Sequence, residues 1–313
     1  MARAFVFPGQ GSQAVGMGKA LADALPTARQ VFEEVDEALS QNLSRLMFEG
    51  PIEELTLTEN AQPALMAMSL AVVRVLRNDG GLEFGKHCQF VAGHSLGEYS
   101  ALCAADAIPL DVTAHLLKKR GQAMQQAVPV GVGAMAALLG LDFEAAQGVA
   151  HDAAQSQICD IANDNTPGQV VVSGNVEAVE RAVELAKERG ARRPMLLPVS
   201  APFHCALMQP AADVMAEALR ASPPVAPLAP LIANVSAEAV SDPDEIRDLL
   251  VRQVTAMVRW RESVLYLRGR DVDNLVEVGA GKVLTTMLKR IDKEISGLAV
   301  NEPDHIEAFL KSV

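Results

Sequence analysis

The chain has 313 residues, 50% of them hydrophobic, and a formal net charge of −12. A chain of this length and apolar content can bury a substantial core, as one large domain or as a large domain with a smaller inserted one. Intrinsic disorder is therefore excluded. The acidic balance argues against a broad basic surface for nucleic acid or for an anionic membrane, because phosphate binding requires clustered Lys and Arg. An anionic partner would have to meet a local basic patch.

The cysteine usage and the N-terminus predict a soluble, cytoplasmic protein. The four cysteines show no C-x-x-C spacing, and a chain of this size does not need disulfides for stability, so we expect reduced, mostly buried thiols. The N-terminal apolar stretch is too short for a signal peptide, and no apolar segment reaches about 18 residues. The cysteines are Cys88, Cys103, Cys159 and Cys205.

The first part of the chain alternates short apolar strands with helical patterns. A strand at residues 4–7 precedes a glycine-rich loop from Gly9 to Gly18, which is a natural ligand position in an α/β fold. The other predicted elements are helices at residues 28–39, 61–77, 96–105 and 110–127 and a strand at residues 88–92. Strands that alternate with helices predict a mostly parallel sheet.

Between about residues 130 and 198 the pattern changes to βαββαβ, the order typical of a ferredoxin-like fold. The predicted strands are residues 134–139, 158–162, 170–173 and 194–197, and the predicted helices are residues 143–154 and 176–189. The turn chemistry of residues 164–168, Asp-Asn-Thr-Pro-Gly, joins the two middle strands.

The last part of the chain returns to the first pattern. It contains a predicted helix at residues 207–221, a Pro-rich connector at residues 222–230 and strands at residues 231–234 and 275–278. We therefore predict a large α/β-hydrolase-like catalytic domain, residues 1–129 and 199–313, with a small ferredoxin-like subdomain, residues 130–198, inserted into it.

The segment Gly93-His94-Ser95-Leu96-Gly97 matches G-x-S-x-G between a predicted strand and a predicted helix. In a nucleophile elbow the serine lies on a strained strand-to-helix turn, and the flanking glycines let the backbones pass closely. The helix directs its positive end at the serine oxygen, and the backbone N–H of Leu96 is placed to bind an oxyanion. The motif letters alone are weak evidence, but this context makes Ser95 the candidate nucleophile.

Ser95 needs a base within hydrogen-bond reach, because a serine hydroxyl is a poor nucleophile at neutral pH. His204 lies at a loop-to-helix junction after the last subdomain strand, where it can face the cleft between the domains. The alternative is a helix-start histidine with a solvated ring. No H-E-x-x-H motif or ligand cluster accompanies it, so we expect no metal. The other histidines, interpreted as surface residues or as pointing away from Ser95, are His87, His94, His115, His151 and His305.

The loop Gly9-Gln10-Gly11-Ser12-Gln13-Ala14 matches G-x-G-x-x-A after a strand, which raises the alternative of a dinucleotide-binding protein. That motif requires a second strand ending in an acidic residue about 20 positions later, whereas residues 31–35 have a helical pattern. Close backbone approach to the active site explains the glycines better. The Gln10 N–H then becomes a second candidate oxyanion donor.

A basic run, Lys118-Lys119-Arg120, lies in a predicted helix. On this pattern alone the run favours a solvated basic face.

Six short motifs occur in order through essentially the whole chain: Phe7-Pro8-Gly9-Gln10-Gly11-Ser12-Gln13, Gln62-Pro63-Ala64, Gly93-His94-Ser95-Leu96-Gly97-Glu98, Arg120-Gly121, Pro167-Gly168-Gln169 and Phe203-His204. Each motif is weak alone, but six in register are specific. Together they resemble the malonyl-CoA:acyl carrier protein transacylase family.

The resemblance implies an acyltransferase that needs no cofactor, because the coenzyme A thioester is its substrate. Ser95 would take the malonyl group of malonyl-CoA as an ester and pass it to the phosphopantetheine thiol of an acyl carrier protein, by ping-pong transfer. His204 would serve as general base and acid, and the Gln10 and Leu96 N–H groups would form the oxyanion hole. Fatty-acid synthesis is the leading pathway.

The resemblance also implies how the acyl group is selected. An arginine at the position of Arg120 pairs with the malonyl carboxylate, for which a planar guanidinium is suited because it binds both oxygens. Gln62 would line the same pocket. Phe203 resembles the malonyl-selective pattern, in which a bulky ring excludes an α-methyl group, although the preceding Ala201-Pro202 matches that pattern only in part.

In the family a backbone carbonyl, rather than a carboxylate, orients the histidine. The matching position is Gln253, and no triad aspartate is expected. Asn165 matches a position near the same pocket, with a supporting role.

The implied partners are malonyl-CoA and an acyl carrier protein, with no nucleic acid, no membrane and no oligomer beyond a monomer. Carrier proteins are usually acidic, so docking would need a local basic patch, for which the candidates are Lys187, Arg189, Arg192 and Arg193. A serine hydrolase or thioesterase is the alternative function, because water can replace the accepting thiol. A noncatalytic dinucleotide-binding protein is the third.

Overall fold

The computed structural model describes residues 2–313, which form a six-stranded, mostly parallel sheet and a separate four-stranded antiparallel sheet. Their strands, in chain order, are β1 (Arg3–Phe7), β2 (Phe90–Gly93), β3 (Gly133–Leu139), β4 (Cys159–Thr166), β5 (Gln169–Asn175), β6 (Arg193–Leu196), β7 (Leu231–Ile232), β8 (Ala239–Val240), β9 (Asn274–Val278) and β10 (Ser296–Val300).

Helices cover both sheets. In chain order they are α1 (Lys19–Ala24), α2 (Pro26–Leu39), α3 (Leu43–Glu49), α4 (Ile52–Thr56), α5 (Thr58–Asn78), α6 (Phe84–His87), α7 (Gly97–Ala104), α8 (Leu110–Gln126), α9 (Phe143–Ala154), α10 (Val176–Glu188), α11 (Gln209–Ala221), α12 (Pro243–Gln253), α13 (Trp260–Arg268), α14 (Val283–Ile291) and α15 (Pro303–Leu310). A short 3₁₀ helix, Ala206–Met208, precedes α11.

The larger sheet has the strand order β10-β9-β1-β2-β7-β8, in which every neighbouring pair is parallel except β7 and β8. Its central strand β1 is almost wholly apolar and lies in the core, as expected for a parallel strand covered on both faces. Because parallel strands end at the same edge, residues after β1, β2 and β7 meet there.

The smaller sheet has the strand order β4-β5-β3-β6, in which every neighbouring pair is antiparallel. Its βαββαβ connectivity is that of a ferredoxin-like fold. A separate apolar core fills the space between this sheet and helices α9 and α10, with Leu138, Val149, Val172 and Val179 fully buried. The predicted fold class, a mostly parallel α/β unit with a ferredoxin-like subdomain, is confirmed.

The predicted turn at residues 164–168 is wrong in its first half. Strand β4 continues through Thr166, and only Pro167 and Gly168 form the turn, with Gly168 at a φ of 73°. The strand continues because Asp164 and Thr166 still pair with β5, opposite Val170 and Gln169, and the Asp164 N–H also donates to the backbone carbonyl of Val258, 3.0 Å away in the larger unit. A partner distant in sequence thus supplies the backbone hydrogen bond that the local turn residues did not predict.

Other element boundaries also differ from the sequence predictions. The helix predicted at residues 207–221 starts as the 3₁₀ turn, and α11 begins only at Gln209, with Pro210 in its first turn. The strand predicted at residues 231–234 ends at Ile232, so Asn234 lies beyond the strand. No strand had been predicted at β8 or β10, and no helix at α12 to α15.

The smaller unit rests on the larger one along β4. Arg261 of α13 forms an ion pair with the buried carboxylate of Asp164 at 2.7 Å, and Asn163 forms a parallel bridge with Val258.

The four cysteines are buried free thiols. Within residues 2–313, no helix is long and apolar enough to cross a membrane, and no group of three His, Cys, Asp or Glu residues could hold a metal ion.

Candidate active site

Ser95 lies on a tight turn between β2 and α7, with its backbone in the left-handed region at a φ of 54°. This turn requires glycine on both sides, at Gly93 and Gly97. A Cβ atom on Gly93 would lie 1.9 Å from the carbonyl carbon of Gly97, and one on Gly97 would lie 2.3 Å from the backbone oxygen of Phe7. Both glycines are therefore required by close backbone approach, as a nucleophile elbow demands.

Asn234, just after β7, fixes the backbone of this turn. Its Oδ1 accepts from the N–H of Ser95 at 2.8 Å, and its Nδ2 donates to the carbonyl of Gly93 at 2.7 Å. Its own backbone N–H donates to Glu98 Oε1 at 2.5 Å. Neither Asn234 nor a role for Glu98 is predicted from the sequence. The signal for Asn234 is a polar residue that follows a strand parallel to the one that carries the nucleophile.

His204 faces Ser95 across the cleft. Its Nε2 lies 2.8 Å from Ser95 Oγ, and its Nδ1 lies 2.9 Å from the backbone oxygen of Gln253 and 3.2 Å from that of Ala256. The two carbonyls are acceptors only, so Nδ1 carries the hydrogen and Nε2 accepts from the Ser95 hydroxyl. The alternative of a solvated ring does not hold, because His204 is 4% exposed.

The electrostatics of the site keep His204 neutral. Burial, and then the positive charge of Arg120, lower the pKa of His204 to about 3, although the carbonyls of Gln253 and Ala256 oppose the shift. A neutral imidazole with a free Nε2 lone pair is the form that can accept a proton from Ser95.

Arg120, on α8, is buried rather than solvated, with an exposure of 1%. Its Nη1 donates to Gln62 Oε1 at 2.8 Å, and its Nη2 donates to Gln253 Oε1 at 2.7 Å and to Ser95 Oγ at 3.2 Å. Its acceptors are neutral oxygens, so the guanidinium is held in place without a carboxylate in direct contact. Burial lowers the pKa of Arg120, and nearby Tyr99 and Glu98 raise it. Arginine remains charged even so.

The interpretation of the basic run as a solvated face is wrong for Arg120 alone. Lys118 is partly exposed and forms an ion pair with Glu59 at 2.9 Å, and Lys119 is exposed. A signal was available in the helix phase, because Arg120 lies three residues after Leu117 and four before Met124, both buried.

The two predicted oxyanion donors both border the cavity beside Ser95. Within residues 2–313, the backbone N–H groups of Gln10 and Leu96 have no hydrogen-bond acceptor. Leu96 immediately precedes α7, so its N–H belongs to the positive end of that helix. The Gln10 side chain donates to Thr58 Oγ1 at 3.4 Å, which ties the glycine-rich loop to the start of α5.

Asn165 contacts His94 rather than His204. Its Oδ1 lies 2.9 Å from Nε2 of His94, whose ring packs 5.8 Å from that of Trp260. Burial lowers the pKa of His94. The pair joins the elbow to β4 and therefore links the two units beside the nucleophile.

The cavity in front of Ser95 has a volume of about 380 Å³, within the range of small-molecule sites. Both units line it, the smaller one through Met135 and Asn163. Phe203, which is 9% exposed, contributes its ring to the wall beside His204. The cavity therefore combines an apolar wall with one cation and one nucleophile.

The four basic candidates for carrier docking differ in their surroundings. Lys187 forms an ion pair with Glu184 at 2.6 Å, and Arg189 forms one with Asp152. Arg192 and Arg193 are exposed. The groove beside α10 also carries three further acidic residues, Glu177, Glu180 and Glu188, so the charge of this surface is mixed rather than basic.

The dinucleotide-binding alternative is not supported by the elements after the glycine-rich loop. That motif needs a strand some twenty residues later, and residues 26–39 form helix α2 instead.

The chain is similar to known acyl transferases over almost its whole length. The family model of the acyl transferase domain matches residues 4–302, so the chain belongs to the acyl transferase family. Within that family it groups with the malonyl CoA-acyl carrier protein transacylases. The one from Bacillus subtilis (strain 168) is 45% identical to it over 99% of this chain and 96% of the relative.

Solved structures agree with this placement. An acyl-carrier-protein-S-malonyltransferase from Bartonella henselae is 56% identical, with a TM-score of 0.98 over 100% of this chain and 99% of that one. A malonyl-transacylase solved in complex with a type II PKS acyl-carrier protein is 43% identical, with a TM-score of 0.96 over 100% of both chains. The family resemblance seen in the sequence is confirmed.

Proposed function

We propose that this protein transfers the malonyl group from malonyl-CoA to the phosphopantetheine thiol of an acyl carrier protein through an ester on Ser95. The observation that carries the proposal is the environment of Ser95 Oγ, which lies 2.8 Å from a neutral histidine and 3.2 Å from a buried guanidinium. A base activates the nucleophile, and a cation without a counter-charge suits an acyl group that ends in a carboxylate. The carrier-bound relative supports the accepting partner.

In the first half-reaction His204 Nε2 takes the proton of Ser95 Oγ, and Oγ attacks the thioester carbon. The carbonyl oxygen becomes an oxyanion that accepts from the N–H groups of Gln10 and Leu96, each worth about 3 kcal/mol in comparable sites. The C–S bond then breaks, and the proton on His204 Nε2 goes to the departing thiolate of coenzyme A. The product is a malonyl ester on Ser95.

In the second half-reaction the carrier thiol gives its proton to His204 Nε2, and the thiolate attacks the ester carbon. Collapse of the same oxyanion breaks the C–O bond, and Ser95 Oγ recovers the proton. The backbone carbonyl of Gln253 holds the Nδ1–H tautomer throughout. It stabilises imidazolium less than a carboxylate would, which keeps the proton available for transfer.

Selection of malonyl would follow from Arg120 and Phe203. The malonyl carboxylate would accept from the Arg120 guanidinium, which Gln62 and Gln253 hold in place. An acetyl group would leave the buried cation uncompensated, which is costly. The Phe203 ring would leave no space for the α-methyl group of methylmalonyl.

The wider assignments are proposed as the sequence predicts them. Residues 1–129 and 199–313 would form the catalytic domain that carries Ser95, Arg120 and His204, and residues 130–198 would close one side of the cleft. The enzyme would act without a cofactor, as a cytoplasmic monomer, and would supply fatty-acid synthesis.

The test is the intact mass of the protein after incubation with malonyl-CoA alone. We expect a malonyl adduct that Ser95→Ala abolishes and that carrier protein discharges faster than water. Ser100→Ala is the matched control, because Ser100 is a buried serine on the adjoining helix α7. Steady release of malonate without an adduct would favour the hydrolase alternative instead.

A further inference from the structure

Glu98 is a buried carboxylate behind the nucleophile, on the first turn of α7, with an exposure of 1%. A buried carboxylate is costly unless donors surround it. Its Oε1 accepts from the backbone N–H of Asn234 at 2.5 Å, and its Oε2 accepts from Nε2 of Gln253. Its direct partners are thus two neutral donors, and the charge of Arg120 acts on it without a direct contact. The mechanism proposed above gives Glu98 no role.

Gln253 connects this carboxylate to the reacting groups. Its Nε2 donates to Glu98 and also to the carbonyl oxygen of Ser95 at 2.9 Å, and its Oε1 accepts from Arg120 Nη2 at 2.7 Å. A carboxylate and a carbonyl only accept, and a guanidinium only donates. The three partners therefore allow one orientation of the Gln253 amide, with the nitrogen toward Glu98 and the oxygen toward Arg120.

We propose that Glu98 is a positioning residue for acyl-group selection: it orients the Gln253 amide so that the amide oxygen holds Arg120 beside Ser95 without neutralising its charge. The inference rests on the proposed malonyl transfer. A carboxylate placed directly on Arg120 would hold the guanidinium equally well, but it would supply the counter-charge that the substrate must bring. The Gln253 amide between them fixes the position of the guanidinium, and the positive charge of Arg120 stays available for the substrate carboxylate.

Replacement of Glu98 by Gln would disturb the hydrogen bonds from Glu98 through Gln253 to Arg120. The new amide oxygen must still accept from the fixed N–H of Asn234, so its NH₂ group meets the NH₂ group of Gln253. Relief requires the Gln253 amide to turn over, which breaks its bond to the carbonyl oxygen of Ser95 and places its NH₂ against the guanidinium of Arg120. Arg120 then loses one acceptor and faces a donor, a change that costs a buried hydrogen bond.

The hydrogen bonds that orient His204 do not depend on the orientation of the Gln253 side-chain amide. His204 Nδ1–H donates to the backbone carbonyls of Gln253 and Ala256, and neither bond depends on which way the side-chain amide of Gln253 points. We therefore expect Glu98→Gln to weaken the handling of a charged acyl group while Ser95 keeps its reactivity toward a neutral one. A merely structural role for Glu98 would lower both rates together.

The experiment compares single-turnover acylation of Ser95 by malonyl-CoA and by p-nitrophenyl acetate, at about pH 9, in the wild type and in Glu98→Gln. We expect kcat/KM for malonyl-CoA to fall about tenfold or more, mainly through KM, and the rate with p-nitrophenyl acetate to stay within about twofold. Glu277→Gln is the matched control: Glu277 is equally buried, but it caps α14 through the N–H groups of Leu284 and Thr285. It should leave the ratio of the two rates unchanged.

A double-mutant cycle tests whether Glu98 acts through Gln253. If it does, the losses in kcat/KM for malonyl-CoA caused by Glu98→Gln and by Gln253→Met should not add in the double variant Glu98→Gln/Gln253→Met. Equal losses with both acyl donors, or an unchanged ratio in Glu98→Gln, would overturn the inference. If Glu98→Gln does not fold, a Gln253→Met variant with an unchanged KM for malonyl-CoA overturns it as well. Absence of a malonyl adduct in the wild type would instead refute the proposed function.

Discussion

Ser95 Oγ lies 2.8 Å from His204 Nε2, and both residues have a left-handed backbone, with φ of 54° at Ser95 and 59° at His204. Non-glycine residues rarely adopt this conformation, and strained residues of this kind persist where the surrounding structure determines them. At Ser95 the determinants are the close approach of Gly93 to Gly97 and the hydrogen bonds of Asn234. At His204 the ring is fixed by two backbone carbonyls. The fold therefore holds both ends of the proton-transfer pair before a substrate binds.

Replacement of His204 tests the base directly. We expect His204→Ala to lower the rate of Ser95 acylation by malonyl-CoA about 10²- to 10⁴-fold, the usual contribution of a positioned general base. Rapid-quench measurement of the adduct gives this rate. His151→Ala is the control, because His151 is a largely exposed histidine of the smaller unit. Normal acylation by His204→Ala would remove His204 from the mechanism.

The pH dependence should differ between a neutral and a charged acyl donor. Because the pKa of His204 is lowered to about 3, the ring is neutral above that pH, and it becomes protonated only as the pH falls toward 3. The rate with p-nitrophenyl acetate should therefore be flat between about pH 5 and pH 7, where an ordinary histidine titrates. A loss of this rate with a midpoint near the ordinary histidine pKa would contradict the assignment.

With malonyl-CoA the rate should instead rise through about pH 8. Burial raises the pKa of Glu98 to about 8, while Asn234, Gln253 and the charge of Arg120 lower it. The other titratable group that acts on this carboxyl is Tyr99, whose pKa is raised to about 12 by burial, so it stays neutral. Protonated Glu98 carries one O–H donor in place of a charged acceptor, so it holds the amide of Gln253 less firmly. The malonyl-specific rise should disappear in Glu98→Gln.

Arg120 should control which acyl group is accepted. Arg120→Gln removes the charge-assisted hydrogen bonds to a malonyl carboxylate, so kcat/KM for malonyl-CoA should fall about 10- to 100-fold. Acylation by p-nitrophenyl acetate should not fall with it. The neighbouring Lys119→Gln is the control, since Lys119 is exposed. Equal loss with both acyl donors would mean that Arg120 supports the fold of the site rather than the substrate.

Phe203 should limit the size of the acyl group. Its ring forms part of the cavity wall beside His204, so Phe203→Ala should raise the methylmalonyl-to-malonyl ratio of kcat/KM about tenfold or more, the scale of discrimination that one extra carbon allows. Competition between the two thioesters, followed by mass analysis of the adduct, measures this ratio. A wild type that accepts methylmalonyl as fast as malonyl would refute the steric argument.

The elbow could be predicted from the sequence because its parts are local: strand, glycine, serine, glycine and helix all lie between Phe90 and Ala104. The network behind it could not be predicted in this way. Glu98 and Asn234 are 136 residues apart, and Gln253 is 158 residues from Ser95. Only the tertiary fold brings these polar groups together. The bond from the Asp164 N–H to Val258 of the other unit is likewise not readable from the local sequence.

Carrier docking should depend on the exposed part of the predicted basic patch. Lys187 and Arg189 are already paired with carboxylates, so Arg192 and Arg193 carry most of the free positive charge. Arg192→Glu/Arg193→Glu should raise KM for the carrier protein several-fold, with an effect that weakens at high salt, while acylation by malonyl-CoA is unchanged. Arg220→Glu is the control, because Arg220 is an exposed arginine of α11 in the larger unit. An unchanged KM for the carrier in the double variant would locate the docking surface elsewhere, because a contact with an acidic partner cannot be indifferent to the reversal of two charges.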